Sequence, residues 1–378
     1  MKPFEINGHK IGPGHPTFVI AEAGVNHNGQ LPLAKQLVDI AVDAGADAVK
    51  FQTFRATQLA SPSATKANYQ KQTTAPGESQ LEMLRQLELS EHAFQELQTH
   101  CRSRGIIFLS TAFDEHSVDF LASLDVPAFK IPSGEITNSP LLQHVAAKGK
   151  PVILSTGMAT LGEIDEAIRC LTQAGAPHMA LLHCVSEYPA HVSKMNLRAM
   201  ATLGDCFGRP VGLSDHSLGI EVPIAAVALG ATIIEKHFTS DKSLPGPDHS
   251  ASLEPAELKV LMTAIRNVEV ALGDGVKQPT SEELRNAAVV RRSLVAAEVA
   301  SRPEMKPTRL IVAAVLMAAL GGVWVWSNKQ EKAKEGQPPA DESPKILTIK
   351  DTDVRKVEIT HRDGETTVVA KNDSGGPG

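Results

Sequence analysis

The chain has 378 residues and a formal net charge of −6, which allows two or three domains and one large core and makes nucleic acid a poor partner. Cys101, Cys170, Cys184 and Cys206 lie far apart with no CxxC pair, so neither a disulfide framework nor a thiolate zinc site is expected. The N-terminus, MKPFEINGHK, lacks the apolar stretch of a signal peptide, which predicts a reduced chain whose first part stays in the cytoplasm.

Eight short apolar runs alternate with helical patterns: FVIAEAG from 18, AVKFQTF from 48, IIFLSTAF from 106, AFKIPS from 128, PVILSTGM from 151, MALLHCVS from 179, PVGLSDHS from 210 and TIIEKHF from 232. Amphipathic stretches lie between them, among them Leu33, Leu37, Ile40 and Ala44, and Ile164, Ile168 and Leu171 behind a Thr160/Glu163 capping box. A last helix carries Leu258, Leu261, Ile265, Val268 and Leu272 on one face, with Pro255 in its first turn and Gly273 after its end. Eight such units predict an α/β chain folded as a (β/α)₈ TIM barrel over residues 1–290. A doubly wound sheet would call for a glycine-rich first turn, which Ala23-Gly24-Val25 does not supply. The second connection, RATQLASPSATKANYQKQTTAPGES, is long and polar and would form a lid over the barrel's active face.

After a linker at 291–304 the pattern changes. LIVAAVLMAALGGVWVW, Leu310 to Trp326, carries no charge between Arg309 and Lys329 and predicts a single transmembrane helix over 305–327. A charged, proline-rich linker follows at 328–345. Residues 346–378 alternate apolar and polar around Asp363-Gly364, a short β-hairpin-like tail. Together these predict a cytoplasmic barrel anchored to the inner membrane.

Each apolar run ends in polar residues that a core strand would not carry: Glu22, Lys50 with Gln52, Ser110 with Thr111, Lys130 with Ser133, Ser155, Ser186, Ser214 with His216, and His237. In a barrel they converge on the rim at the C-terminal strand ends, where active sites are built. Two lysines and several hydroxyls suit a phosphate, although a lysine on a barrel strand also suits a Schiff-base aldolase. His216 and His237 end neighbouring strands and could share one metal, leaving positions open for substrate and water. Asp248 and His249 add a polar loop beside them.

These residues stand in the segments AEAGVNHNG, DAVKFQTF, FKIPSGE, ILSTGM, HCVSEYP, GLSDHS and EKHFTSDKSLPGPDHSASLEP. In that order they resemble the N-acetylneuraminate (sialic acid) synthases, over about residues 14 to 297. The resemblance implies a metal-dependent transferase of sialic acid biosynthesis, using Mn²⁺, or Mg²⁺ or Co²⁺. It would condense phosphoenolpyruvate with an N-acylated, manno-configured aminosugar and release phosphate. Carried across by motif, His216 and His237 would hold the metal, and Lys50, Thr111, Lys130, Ser133, Ser155, Ser186 and Ser214 the phosphoenolpyruvate. Gln52, Tyr188 and Asp248 would hold the sugar, and Glu22 would position or transfer a proton beside the reacting carbon.

Family members resembling this chain continue after the motif seen here as Arg291-Arg292-Ser293-Leu294 into a small antifreeze-like domain, which in a homodimer lends an arginine to the partner's sugar site. From Ser301 this sequence departs from that pattern and reads as a fusion to an unrelated anchor, with no matching arginine. A Schiff-base aldolase or lyase, and a membrane-tethered barrel with little activity, are the alternatives.

Overall fold

The computed structural model describes residues 2–74, 77–292, 307–331, 356–360 and 366–370. The chain divides into two compact units, Met1–Pro279 and Thr280–Gly378.

The first unit opens with an antiparallel hairpin, β1 (Phe4–Ile6) and β2 (His9–Ile11). Eight parallel strands follow: β3 (Phe18–Gly24), β4 (Ala48–Thr53), β5 (Ile107–Ala112), β6 (Phe129–Ile131), β7 (Val152–Ser155), β8 (Met179–Cys184), β9 (Val211–Asp215) and β10 (Ile233–His237). They close into a barrel, with β10 pairing both β9 and β3. Helices cover the outside, so these strands are apolar on both faces, and every residue of β3 is buried.

Alternation along each strand sorts its side chains into two populations. Outward residues such as Val19, Val49, Leu154 and Leu213 pack against the helices in one large core. Inward residues from the N-terminal ends, among them Phe18, Ile20, Ala48, Leu109, Ile153 and Ile233, form a second core inside the barrel, with Phe4, Ile6 and Ile11 of the hairpin sealing its base. The next inward layer is polar. The barrel is therefore a filled cup, dry below and chemically active above.

Local signals mark the helix ends. Thr160 caps the helix Leu161–Gln173, its hydroxyl accepting from the Glu163 N–H at 3.3 Å while its own N–H donates to Glu163 at 2.7 Å. The helix Pro255–Leu272 begins on its proline and stops at Gly273. The long second connection contains the short helices Ala56–Leu59 and Asn68–Thr73. It leads to Gln80–Leu87, whose Leu81, Met83, Leu84 and Leu87 pack on Val25, Phe54 and Ala56 in a third apolar cluster.

The second unit has the helices Ser281–Val290 and Pro307–Glu331 and an antiparallel pair, β11 (Lys356–Thr360) and β12 (Thr366–Ala370). Leu310 to Trp326 falls inside Pro307–Glu331, but among the described residues no helix is long and apolar enough to cross a membrane. The expected span over 305–327 is therefore not borne out among the described residues. The rest of the expected 328–345 linker, the Asp363-Gly364 turn, and 293–304 lie outside the described residues.

Ile153→Ala, inside the barrel, is expected to cost about 2–5 kcal/mol. Val270→Ala, 83% exposed, should stay within about 0.5 kcal/mol. Urea unfolding followed by circular dichroism checks both, and equal midpoints would contradict this picture of the interior.

Candidate functional site

The polar layer above the barrel core lines one cavity of about 340 Å³ at the C-terminal strand ends, at the lower end of the usual size for small-molecule sites. Thirteen of the residues singled out from the sequence line it: Glu22, Lys50, Gln52, Thr111, Lys130, Ser133, Ser155, Ser186, Tyr188, Ser214, His216, His237 and Asp248, whereas Ser110 bonds to Thr53 and His249 to Thr239 outside it. They come from every barrel strand or the loop after it, which is why residues more than 200 positions apart meet.

Two buried lysines and two buried carboxylates form the floor. Lys50 donates to the Thr111 hydroxyl at 2.7 Å and contacts the Glu22 carboxylate. It also lies 3.6 Å from Glu235, whose other oxygen is 3.2 Å from Lys130 and accepts from the Ser214 hydroxyl at 2.8 Å. Burial pushes the Glu22 carboxyl up to about 7 against the pull of Lys50. Burial presses Glu235 the same way, but Lys130, Lys50 and Ser214 together hold it well below the usual carboxylate range. Lys50 cannot satisfy two carboxylates equally, so Glu235, with more partners, takes the ionised state and Glu22 stays protonatable. Burial draws Lys130 below the ordinary lysine range, opposed by Glu235.

A ring of hydroxyls sits beside the lysines. Ser133 accepts from the Gly157 N–H at 2.9 Å, and the buried Ser155 hydroxyl has no partner among the described residues. Gly157 leaves the space: a Cβ there would come within 2.4 Å of the Ser186 hydroxyl and 2.7 Å of that of Ser133. An unpartnered buried hydroxyl in a cavity that also holds two lysines lacks an acceptor, which an anion would supply.

Aromatic rings also line the cavity. His216 and His237 lie with ring centroids 5.5 Å apart, and Tyr188 stacks on His216 at 4.1 Å. The His216 Nδ1–H donates to the Val185 carbonyl at 2.8 Å; burial works to lower this imidazole, but Cys184 and the Val185 carbonyl raise it above its ordinary range, so Nε2 offers a lone pair in the neutral ring. His237 Nδ1 is buried without a partner. Burial, then the neighbouring His216 and Lys50, keeps His237 well below the ordinary imidazole range, so it is neutral and able to ligate. Burial also raises Asp248 to about 6. Among the described residues no group of three or more His, Cys, Asp or Glu is placed to hold a metal. An ion here would take two imidazoles from the protein and its remaining ligands from substrate and water, which the donor set fits.

Gly24, at φ +54°, lets β3 bulge past this wall; a Cβ there would lie 3.2 Å from Glu22 Oε1 and 3.3 Å from the His237 ring.

A family model described as the NeuB family matches residues 37–277. The chain belongs to the NeuB family. An N,N'-diacetyllegionaminic acid synthase of Campylobacter jejuni is 56% identical over 282 residues, 74% of this chain and 84% of that protein. A second, from Legionella pneumophila, is 54% identical over 295 residues, 77% and 83% of the two chains. The crystal structure of the N-acetylneuraminic acid (sialic acid) synthetase of Leptospira borgpetersenii, in complex with citrate, matches with a TM-score of 0.68 at 37% identity, over 77% of this chain and 98% of that one. This NeuB-family chain is a synthase-type enzyme.

Among the cavity residues not singled out from the sequence, Glu235, Cys184 and Tyr69 carry polar or aromatic groups into it. Glu235 stands two positions before His237 on the same strand face, so the period of two was the available signal. Cys184 ends β8 and passes as an ordinary core thiol. Tyr69 comes from the lid and stacks on Tyr188 at 5.1 Å; nothing in its polar surroundings marks it.

Gly157→Ala is expected to leave the fold intact but weaken binding of inorganic phosphate at least about tenfold, because the new methyl displaces two hydroxyls. Calorimetric titration checks this, and unchanged affinity would take the Ser133/Ser186 ring out of the anion site.

Proposed function

We propose that this chain condenses phosphoenolpyruvate with an open-chain, N-acylated, manno-configured aminosugar to a nonulosonic acid, releasing phosphate. The observation that carries the proposal is that two buried lysines, several hydroxyls and two neighbouring imidazoles line one cavity. The two diacetyllegionaminic acid synthases at 56% and 54% identity favour a 2,4-diacetamido-trideoxy acceptor over N-acetylmannosamine.

In this reading Lys50 and Lys130 neutralise the phosphate and carboxylate of phosphoenolpyruvate, while Thr111, Ser133, Ser155, Ser186 and Ser214 donate to their oxygens. Gln52, Tyr188 and Asp248 hold the sugar. His216 and His237 hold a divalent cation, Mn²⁺, Mg²⁺ or Co²⁺, which would supply Lewis acidity for the aldehyde oxygen and a bound water. The methylene carbon of phosphoenolpyruvate forms the new bond to the aldehyde carbon, and a water oxygen adds to C2. The bond from C2 to the bridging oxygen then breaks, and phosphate leaves with that oxygen. Glu22, protonatable near neutrality, lies where it can take or return a proton as C2 changes.

A Schiff-base aldolase is favoured by one observation, the lowered Lys130. Its contact with Glu235 works against it, because a paired ammonium is a poor nucleophile.

The test is incubation of the full chain with phosphoenolpyruvate carrying ¹⁸O at the bridge, Mn²⁺ and each acceptor. Phosphate and nonulosonate should form together, with the label in phosphate. Label retained in the sugar acid, or borohydride trapping of a lysine with pyruvate, would contradict the proposal.

Lys130→Ala should raise KM for phosphoenolpyruvate about tenfold or more while changing acceptor KM far less. An unchanged KM for phosphoenolpyruvate would remove Lys130 from that half of the site.

A further inference from the structure

Directly behind the paired histidines, on the outer face of the barrel, lies a second set of buried charges that the proposed chemistry does not use. The register of β9 on β10 explains its position. Ser214 pairs with Glu235 facing inward, and Asp215 then pairs with Lys236 facing outward. The next residues, His216 and His237, both reach the cavity.

Lys236 and Asp215 are 1% and 0% exposed, with Nζ 2.6 Å from Oδ2. The pair does more than neutralise itself. Asp215 Oδ1 accepts from the Ser217 N–H at 2.9 Å, and Lys236 donates to the Ser217 carbonyl. His216 is thus pinned on both chain sides, at 215 and 217, to the residue that immediately precedes His237. On its other flank the His216 carbonyl accepts from the Ala190 N–H at 2.9 Å, and its ring is tied to Val185.

We infer that Asp215 and Lys236 are positioning residues that fix the separation of His216 and His237 for a shared divalent cation. Energetics agree: a buried ion pair adds little net stability over apolar residues of similar volume, so its return is geometric. Partners behind metal-ligating histidines change metal affinity about 10- to 100-fold when altered. The inference rests on the two-histidine metal reading above.

The experiment uses the full chain with Mn²⁺ alone, free ion being measured by electron paramagnetic resonance, so turnover is not the readout. Two variants are compared with the unaltered protein. Asp215→Asn with Lys236→Met removes the charges together yet keeps an acceptor for the Ser217 N–H. Asp215→Glu keeps the ion pair but lengthens it by one methylene.

Both should retain phosphoenolpyruvate binding in the absence of metal and weaken Mn²⁺ binding at least about tenfold. A role confined to stability would leave Mn²⁺ affinity unchanged in whichever variant folds, and that result overturns the inference. Failure of the unaltered chain to bind Mn²⁺ would overturn the two-histidine reading and this inference with it. If neither variant folds, the pair is structural and the inference also falls.

Discussion

The pairing of the last barrel strand with the first is the constraint on which the rest depends. Ile233 to His237 on β10 lie opposite Phe18 to Glu22 on β3, and this single seam converts an open sheet into a closed wall. With the wall closed, every second residue of eight strands must share one narrow interior. Side chains 215 positions apart, Glu22 and His237, become neighbours only through it. The seam also makes β10 central to the chemistry, since it carries Glu235 inward to the charge cluster, His237 to the rim and Lys236 outward to Asp215.

Layering of that interior separates stability from function. The lower layers are apolar and sealed by the β1–β2 hairpin, so they can hold the wall rigid without being wet. The layer above contains two lysines and two carboxylates with almost no exposure. Such a cluster is costly to bury and is tolerable because its charges neutralise one another. It is also asymmetric: Glu235 has two lysines and a serine, whereas Glu22 has Lys50, which it shares. One carboxylate therefore serves as a fixed counter-charge and the other remains free to change protonation. An arriving anion would compete for the same lysines, which couples substrate entry to the state of Glu22.

The barrel was legible because its signals are repetitive and local. Eight apolar runs, each ending in polar residues, give the strands and their exits, and a closed barrel leaves those exits one place to meet. Thr160, Pro255 and Gly273 mark helix ends through chemistry confined to a few residues. Glu235 was missed because attention to strand ends overlooks a charge one pleat lower, where its partners come from β4 and β6. Tyr69 was missed because its stacking on Tyr188 depends on how the lid folds back. The uncharged run from Leu310 was read by polarity alone, and among the described residues no helix is long and apolar enough to cross a membrane.

The claim at the centre of this account is that one cavity holds a phosphorylated enol acid against its lysine half while its histidine half faces the second substrate. A crystal structure of the full chain soaked with phosphoenolpyruvate tests it most directly. The account predicts the anionic groups between Lys50 and Lys130, with the Ser155 hydroxyl newly hydrogen-bonded and the enol carbon facing His216 and His237. Phosphoenolpyruvate bound outside the cavity, or continuous density joining a pyruvyl group to a lysine nitrogen, would contradict it.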